Sequence, residues 1–185
     1  MPRALAIRLR FPRDAYSGAD LGTPEPVPSP ARVHAAVAAA AAGGPDAVPE
    51  GRVLVAAARH RRAVEWLEAH PPLAIRLPRW QPTDHPVVRY RRRVGESPDG
   101  TPFEPFSALD GPVSYFWPAP EEPEIVDALR ELAPEIAYVG RVESAVIASV
   151  GVEDVADDDP DCLVAVSGRG PGEVLRTAAP GRLAA

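Results

Sequence analysis

Residues 26–41, PVPSPARVHAAVAAAA, constrain the chain most, because a proline-rich lead-in runs directly into an alanine-rich helix. Ser29 is placed to cap the helix, and Pro30 suits its first position, where no N–H is needed. Val33, Ala36, Val37, Ala40 and Ala41 then recur at helical spacing, and Gly43 and Gly44 end the run. Small side chains let such a helix lie very close to whatever it covers. Its positive start, with Arg32 in the first turn, is a natural place for a phosphate.

The segments around this helix predict a mixed architecture. Residues 4–11, ALAIRLRF, read as a strand with Leu5, Ile7, Leu9 and Phe11 on a buried face and Arg8 and Arg10 on a cationic one. Residues 12–28 and 44–51 read as loops. Residues 52–69 read as a second helix with a stripe of Leu54, Ala57, Ala58, Val64 and Leu67, stopped by Pro71 and Pro72. LAIRL at 73–77 and VSYFW at 113–117 read as strands, and 122–133 as a third helix carrying Ile125, Leu129 and Leu132. AVIASVGV at 145–152 has the composition of a buried strand, and CLVAVS makes a last one. The order is β, α, α, β, arm, β, α, β, β. Without one helix and the arm it is βαββαβ, an α+β arrangement of the ferredoxin or RNA-recognition type. With 185 residues the chain is read as one domain.

The arm, about 78–111, is read as an inserted hairpin. HPVVRYRRRV is one side, TPFEPFSAL the other, and PDG at 98–100 the turn. It holds Arg89, Arg91, Arg92 and Arg93 with Tyr90 and His85. On a strand Arg89, Arg91 and Arg93 share a side, where guanidinium groups match phosphates and Tyr90 offers a ring for stacking. The other reading is an edge strand that uses charge against aggregation. Trp66 and Trp117 read as packing anchors, and Trp80 as a stacking platform or partner contact.

The net charge of −6 argues against a nucleic-acid partner, but its distribution does not. Residues 1–93 carry 15 arginines against 8 acids, and residues 94–185 carry 5 against 18. One basic working face and one acidic side are therefore expected. All basic residues are arginine, so lysine enters no catalytic scheme. The lone Cys162 excludes an internal disulfide and points to a reducing cytoplasm. No apolar stretch is long enough to span a membrane, and no signal peptide is evident.

Chemistry-bearing groups are sparse. His34, His60, His70 and His85 lie in different segments, and there is no H-E-x-x-H, paired cysteine or P-loop. No catalytic residue, metal or cofactor is expected. DDDPD at 157–161 reads as a solvated loop rather than a cation site. In VGRVES at 139–144, Gly140 allows positive φ, and Arg141 and Ser144 offer donors beside it.

The strand ALAIRLRF, the PVPSPARVHAAVAAA helix start and IAYVGRVES occur in an order that resembles the CRISPR-associated RAMP proteins of the Cas-five type. These cap the 5′ end of the guide RNA in Cascade-like complexes. The likeness is greatest to the Cas-five half of the Cas-five/Cas-six fusion of type I-G (formerly I-U) systems. It covers nearly the whole chain and includes the segment from Trp66 to Pro72. It implies a modified ferredoxin-like (RAMP) domain with a projecting thumb at about 78–111. It also implies binding of the guide RNA's 5′ handle in antiviral defence. Gly140, Arg141 and Ser144 match the family's glycine-arginine loop, and Ser29 and Arg32 its first helix start. Arg89, Tyr90, Arg91 and Arg93 fall in the thumb. Partners implied are the guide RNA, the backbone and large subunits, and target DNA indirectly. Val142 departs from the polar or small residue often found there. The chain stops at APGRLAA, where fused relatives lead on to a nuclease half, so truncation before a second domain, cleavage of the fusion, or separate encoding of the two halves is an expectation too. Two alternatives stay open: a metal-independent endoribonuclease using His34 or His85 with arginine, and Tyr16 or Tyr90 as partner, or a protein-interaction module without an RNA role.

Overall fold

The computed structural model describes residues 3–20, 23–25, 27–82, 88–90, 100–102, 107–141, 144–155 and 162–164. Its frame is β1 (Arg3–Arg10), α1 (Pro30–Gly43), α2 (Ala58–Ala69), β2 (Ala74–Arg76), β3 (Val113–Pro118), α3 (Pro123–Leu132), β4 (Ile147–Asp154) and β5 (Cys162–Val164). The five strands form one antiparallel sheet in the order β4-β1-β3-β2-β5. The protein is thus α+β. Each βαβ crossover skips a strand, since β3 lies between β1 and β2, and β1 between β3 and β4.

The helices cover one face of the sheet. Leu5, Ile7, Leu9, Tyr115 and Trp117 point towards it and pack with Val33, Val37, Val64, Leu67, Ile125 and Leu129. β3 sits at the centre and is buried from Val113 to Trp117, Ser114 included, because its other face is covered as well. There Phe116 is fully enclosed with Ala4, Ala6, Ala74 and Val155.

The other face of β1 carries Arg8 and Arg10 as expected, while its first half, at Ala4 and Ala6, is buried. Arg8 pairs with Glu153 on neighbouring β4. Arg76 lies 3.9 Å from the other oxygen of the same carboxylate and 5.0 Å over the Phe116 ring.

Three expectations change. The helix expected over 52–69 starts only at Ala58. Val48–Glu50 and Val53–Val55 form a hairpin instead, turned by Gly51 at φ 63°. The β-branched Val48, Val53 and Val55 favour extension over a helix, and Gly51 supplies the two-residue turn. Leu54 and Ala58 are consequently exposed rather than part of a core stripe. The strand at 145–152 is shifted to Ile147–Asp154 and lies at the sheet edge, with Ile147 63% exposed. Only its Ala148, Val150 and Val152 side leans on the core. Finally, the loop at 12–28 contains three short strands, Ala15–Tyr16, Gly18–Asp20 and Thr23–Glu25.

In the arm, Val88–Tyr90 pairs antiparallel with Gly100–Pro102, so Gly100 belongs to a strand rather than to the turn. Arg79–Pro82 pairs with Ser107–Asp110, which also pairs with Ala15–Tyr16. His85, Arg91, Arg92 and Arg93 lie outside the described residues, as do 157–161 and the chain beyond 164. Among the described residues no helix is long and apolar enough to cross a membrane.

Candidate nucleic-acid interface

The start of α1 is tied to the sheet. The Tyr115 hydroxyl donates to the Pro28 carbonyl, and Pro30 occupies the first helical turn. Ser29 stands at the N-cap in extended conformation, but its side chain makes no capping bond. Its carbonyl accepts the N–H groups of Arg32 and Val33 at 2.9 and 3.2 Å. Ser29, Pro30 and Ala31 are all buried. The helix start therefore does not present its amides to solvent as a phosphate cradle, contrary to the expectation from its sequence.

The arginine of that first turn projects sideways. Arg32 Nε donates to Glu25 Oε2 at 2.6 Å, and the Tyr16 hydroxyl donates to the same oxygen at 3.0 Å. Burial, and then the Glu25 charge, push the Tyr16 phenol far above its ordinary range, while Arg32 and Arg141 act in the opposite direction. Tyr16 is thus a neutral donor at any physiological pH.

Gly140 lies against this group. Val139 is fully buried, and its N–H bonds to the Ser144 carbonyl at 3.1 Å, while the Ser144 N–H bonds to the Arg141 carbonyl at 2.9 Å. Gly140 takes φ 79°, a conformation that a side chain would strain. A Cβ there would stand 3.4 Å from Arg32 Nη1 and 3.6 Å from the Tyr16 hydroxyl. Ser144 Oγ accepts the Ser17 N–H at 3.0 Å and donates to the Ser17 carbonyl at 3.2 Å. Its hydroxyl is spent on holding the loop and is not presented as a ligand donor.

A groove of about 480 Å³ runs from Arg32 and Gly140 along the alanine side of α1, past Ala35 and Ala39, opposite Ile136 and Tyr138. The Tyr138 ring is half exposed. Small side chains keep the α1 wall flat, so a planar group can approach the backbone there.

The sequence candidates Ser29, Arg32, Gly140, Arg141 and Ser144 are therefore brought to one place from segments over a hundred residues apart. Arg89 and Tyr90 lie in the Val88–Tyr90 strand. Several of the described arginines are paired with carboxylates on separate elements. Arg8 and Arg76 share Glu153 beyond the helix-covered face, and on α2 Arg59 pairs with Asp46 and Glu131 and Arg62 with Glu122. His34, weighed as a general base, is 4% exposed on the packed side of α1, and the Tyr16 hydroxyl is committed to Glu25.

Sequence reasoning missed Glu25 and Tyr138. Glu25 is a carboxylate just ahead of the proline lead-in and seven residues before Arg32, so a return contact was open to inference. Tyr138, two residues before Gly140, carried no signal beyond its aromatic ring.

No protein-family model matches this chain, and no curated protein is significantly similar to it.

Proposed function

We infer that this chain is a non-catalytic RNA-binding subunit of a type I CRISPR effector complex that holds the 5′ handle of the guide RNA. The contact of the Gly140 bend with Arg32, at the mouth of the groove along α1, carries this reading. It joins two motifs of the RAMP resemblance that are far apart in sequence. The β4-β1-β3-β2 order with two split βαβ crossovers supports the ferredoxin-like part of the reading. RNA strands are held by arginine on phosphate and by bases stacked on aromatic rings, and the groove offers Arg32, Arg141 nearby and Tyr138 for those tasks. Arg89 to Arg93, with Tyr90, would extend the contact from the arm, and neighbouring backbone and large subunits would cover the rest.

Filter binding with repeat-derived RNA across a salt series tests the proposal. Arg141→Ala should weaken binding and reduce the log–log salt slope by about 0.7, the value for one phosphate contact on a single strand. Tyr138→Ala should weaken it by roughly 1–3 kcal/mol with the slope unchanged. Affinity unaltered in both variants rejects the proposal. Site-specific cleavage of that RNA in EDTA would instead support the endoribonuclease alternative.

A further inference from the structure

A second polar cluster lies away from this groove, where three helical elements converge. Asp46 follows the Gly44–Pro45 exit of α1, His60 lies in the first turn of α2, and Glu131 lies in the last turn of α3. One ligand-type atom from each falls within 4.8 Å of the others. His60 Nε2 stands 3.0 Å from Glu131 Oε2, and the imidazole is only 4% exposed. These residues, with Glu135, line a cavity of about 20 Å³. That is room for one water molecule or one ion.

Arg59 currently supplies the positive charge. Its Nη2 lies 2.8 Å from Asp46 Oδ2 and 3.0 Å from Glu131 Oε2, so one guanidinium draws together two carboxylates from different elements. The side chain is 56% exposed and can withdraw into solvent at little cost. What remains is one imidazole nitrogen and two carboxylate oxygens in a small, partly enclosed cavity.

We propose that Asp46, His60 and Glu131 form a binding site for a divalent transition metal of the zinc class, with Arg59 as the competing cation. The mixed nitrogen–oxygen donor set favours zinc, cobalt or nickel over magnesium and calcium, which take oxygen ligands. Two carboxylates balance the charge of the ion. Three protein ligands leave a fourth tetrahedral position for water or Glu135. A bound ion would join the exit of α1 to α2 and α3, independently of any RNA contact.

The experiment is titration of the EDTA-stripped, desalted full chain with Zn²⁺, followed by calorimetry and thermal unfolding, and repeated with Co²⁺ and Mg²⁺. One Zn²⁺ should bind saturably and raise the melting temperature. Co²⁺ should give the visible absorption of a tetrahedral site, and Mg²⁺ should give no shift. Asp46→Asn alters a half-exposed residue and should lower Zn²⁺ affinity at least tenfold, as should His60→Ala if it folds. Arg59→Ala should raise affinity several-fold, which a purely structural ion-pair cluster would not do. Absence of saturable Zn²⁺ binding, binding insensitive to Asp46→Asn, or equal stabilisation by Mg²⁺ overturns the proposal.

Discussion

Arg32 and Glu25 meet at 2.6 Å where α1 begins, and the carboxylate is the more deeply buried partner of the two. The arginine that the resemblance assigns to RNA is therefore already engaged within the protein. Its charge is partly cancelled, and its direction is set by the carboxylate and the adjoining Tyr16 hydroxyl.

Glu25→Gln removes that cancelling charge while leaving a side chain of the same shape. It should tighten RNA binding and steepen the salt dependence by up to about 0.7 of log–log slope, the value of one added phosphate contact. Filter binding at several salt concentrations reads both. Weaker binding would show instead that Glu25 serves chiefly to aim Arg32.

Gly140→Ala forces a side chain into the left-handed region, at a cost of roughly 1–2 kcal/mol. The new Cβ also touches the Arg32 guanidinium at 3.4 Å. Urea unfolding should show the lost stability, and RNA binding should weaken as well. An unchanged urea midpoint would contradict the backbone assignment.

Ser144→Ala deletes both hydrogen bonds to Ser17 and leaves a buried N–H without its partner. The expected loss is about 1–3 kcal/mol by urea unfolding. Because the hydroxyl faces inward, the salt slope of RNA binding should not change. A reduced slope would place Ser144 on the RNA after all.

Two phenols make the fold sensitive to alkali. Burial, and then nearby charge or a second phenol, raise Tyr16 and Tyr115 above the ordinary value of 10.0. The folded state keeps their protons while the unfolded chain releases them, so their contribution is complete below about pH 10 and is lost as pH rises beyond it. Melting temperature should fall above that pH, and tyrosinate absorbance should rise on unfolding. Tyr16→Phe should shrink the alkaline decline, and an identical decline would refute the assignment.

Periodicity made most of the frame legible. The Leu5–Ile7–Leu9 alternation, the Val33–Val37 and Ile125–Leu129 spacings and the apolar VSYFW run all report on which side faces the core, and each became the expected element. Where it failed, local chemistry competed. Gly51 turned a hairpin out of what reads as a helix start, and the apolar letters of 147–152 describe an edge that is half solvated. Pairing was less accessible. Opposite charges such as Arg8 and Glu153 are 145 residues apart in sequence, and only the β1–β4 register makes them neighbours. His60 and Glu131 are likewise 71 residues apart, which hid their cluster with Asp46 from any motif of fixed spacing.

The position of β1 has a consequence for how the protein matures. The strand is clamped on either side by strands drawn from residues 113–118 and 147–154, both far downstream of it. During synthesis it must wait for residues 113–118 before it finds a neighbour, and such distant pairing slows folding. A fragment that stops short of residue 113 carries β1 with neither of its neighbours.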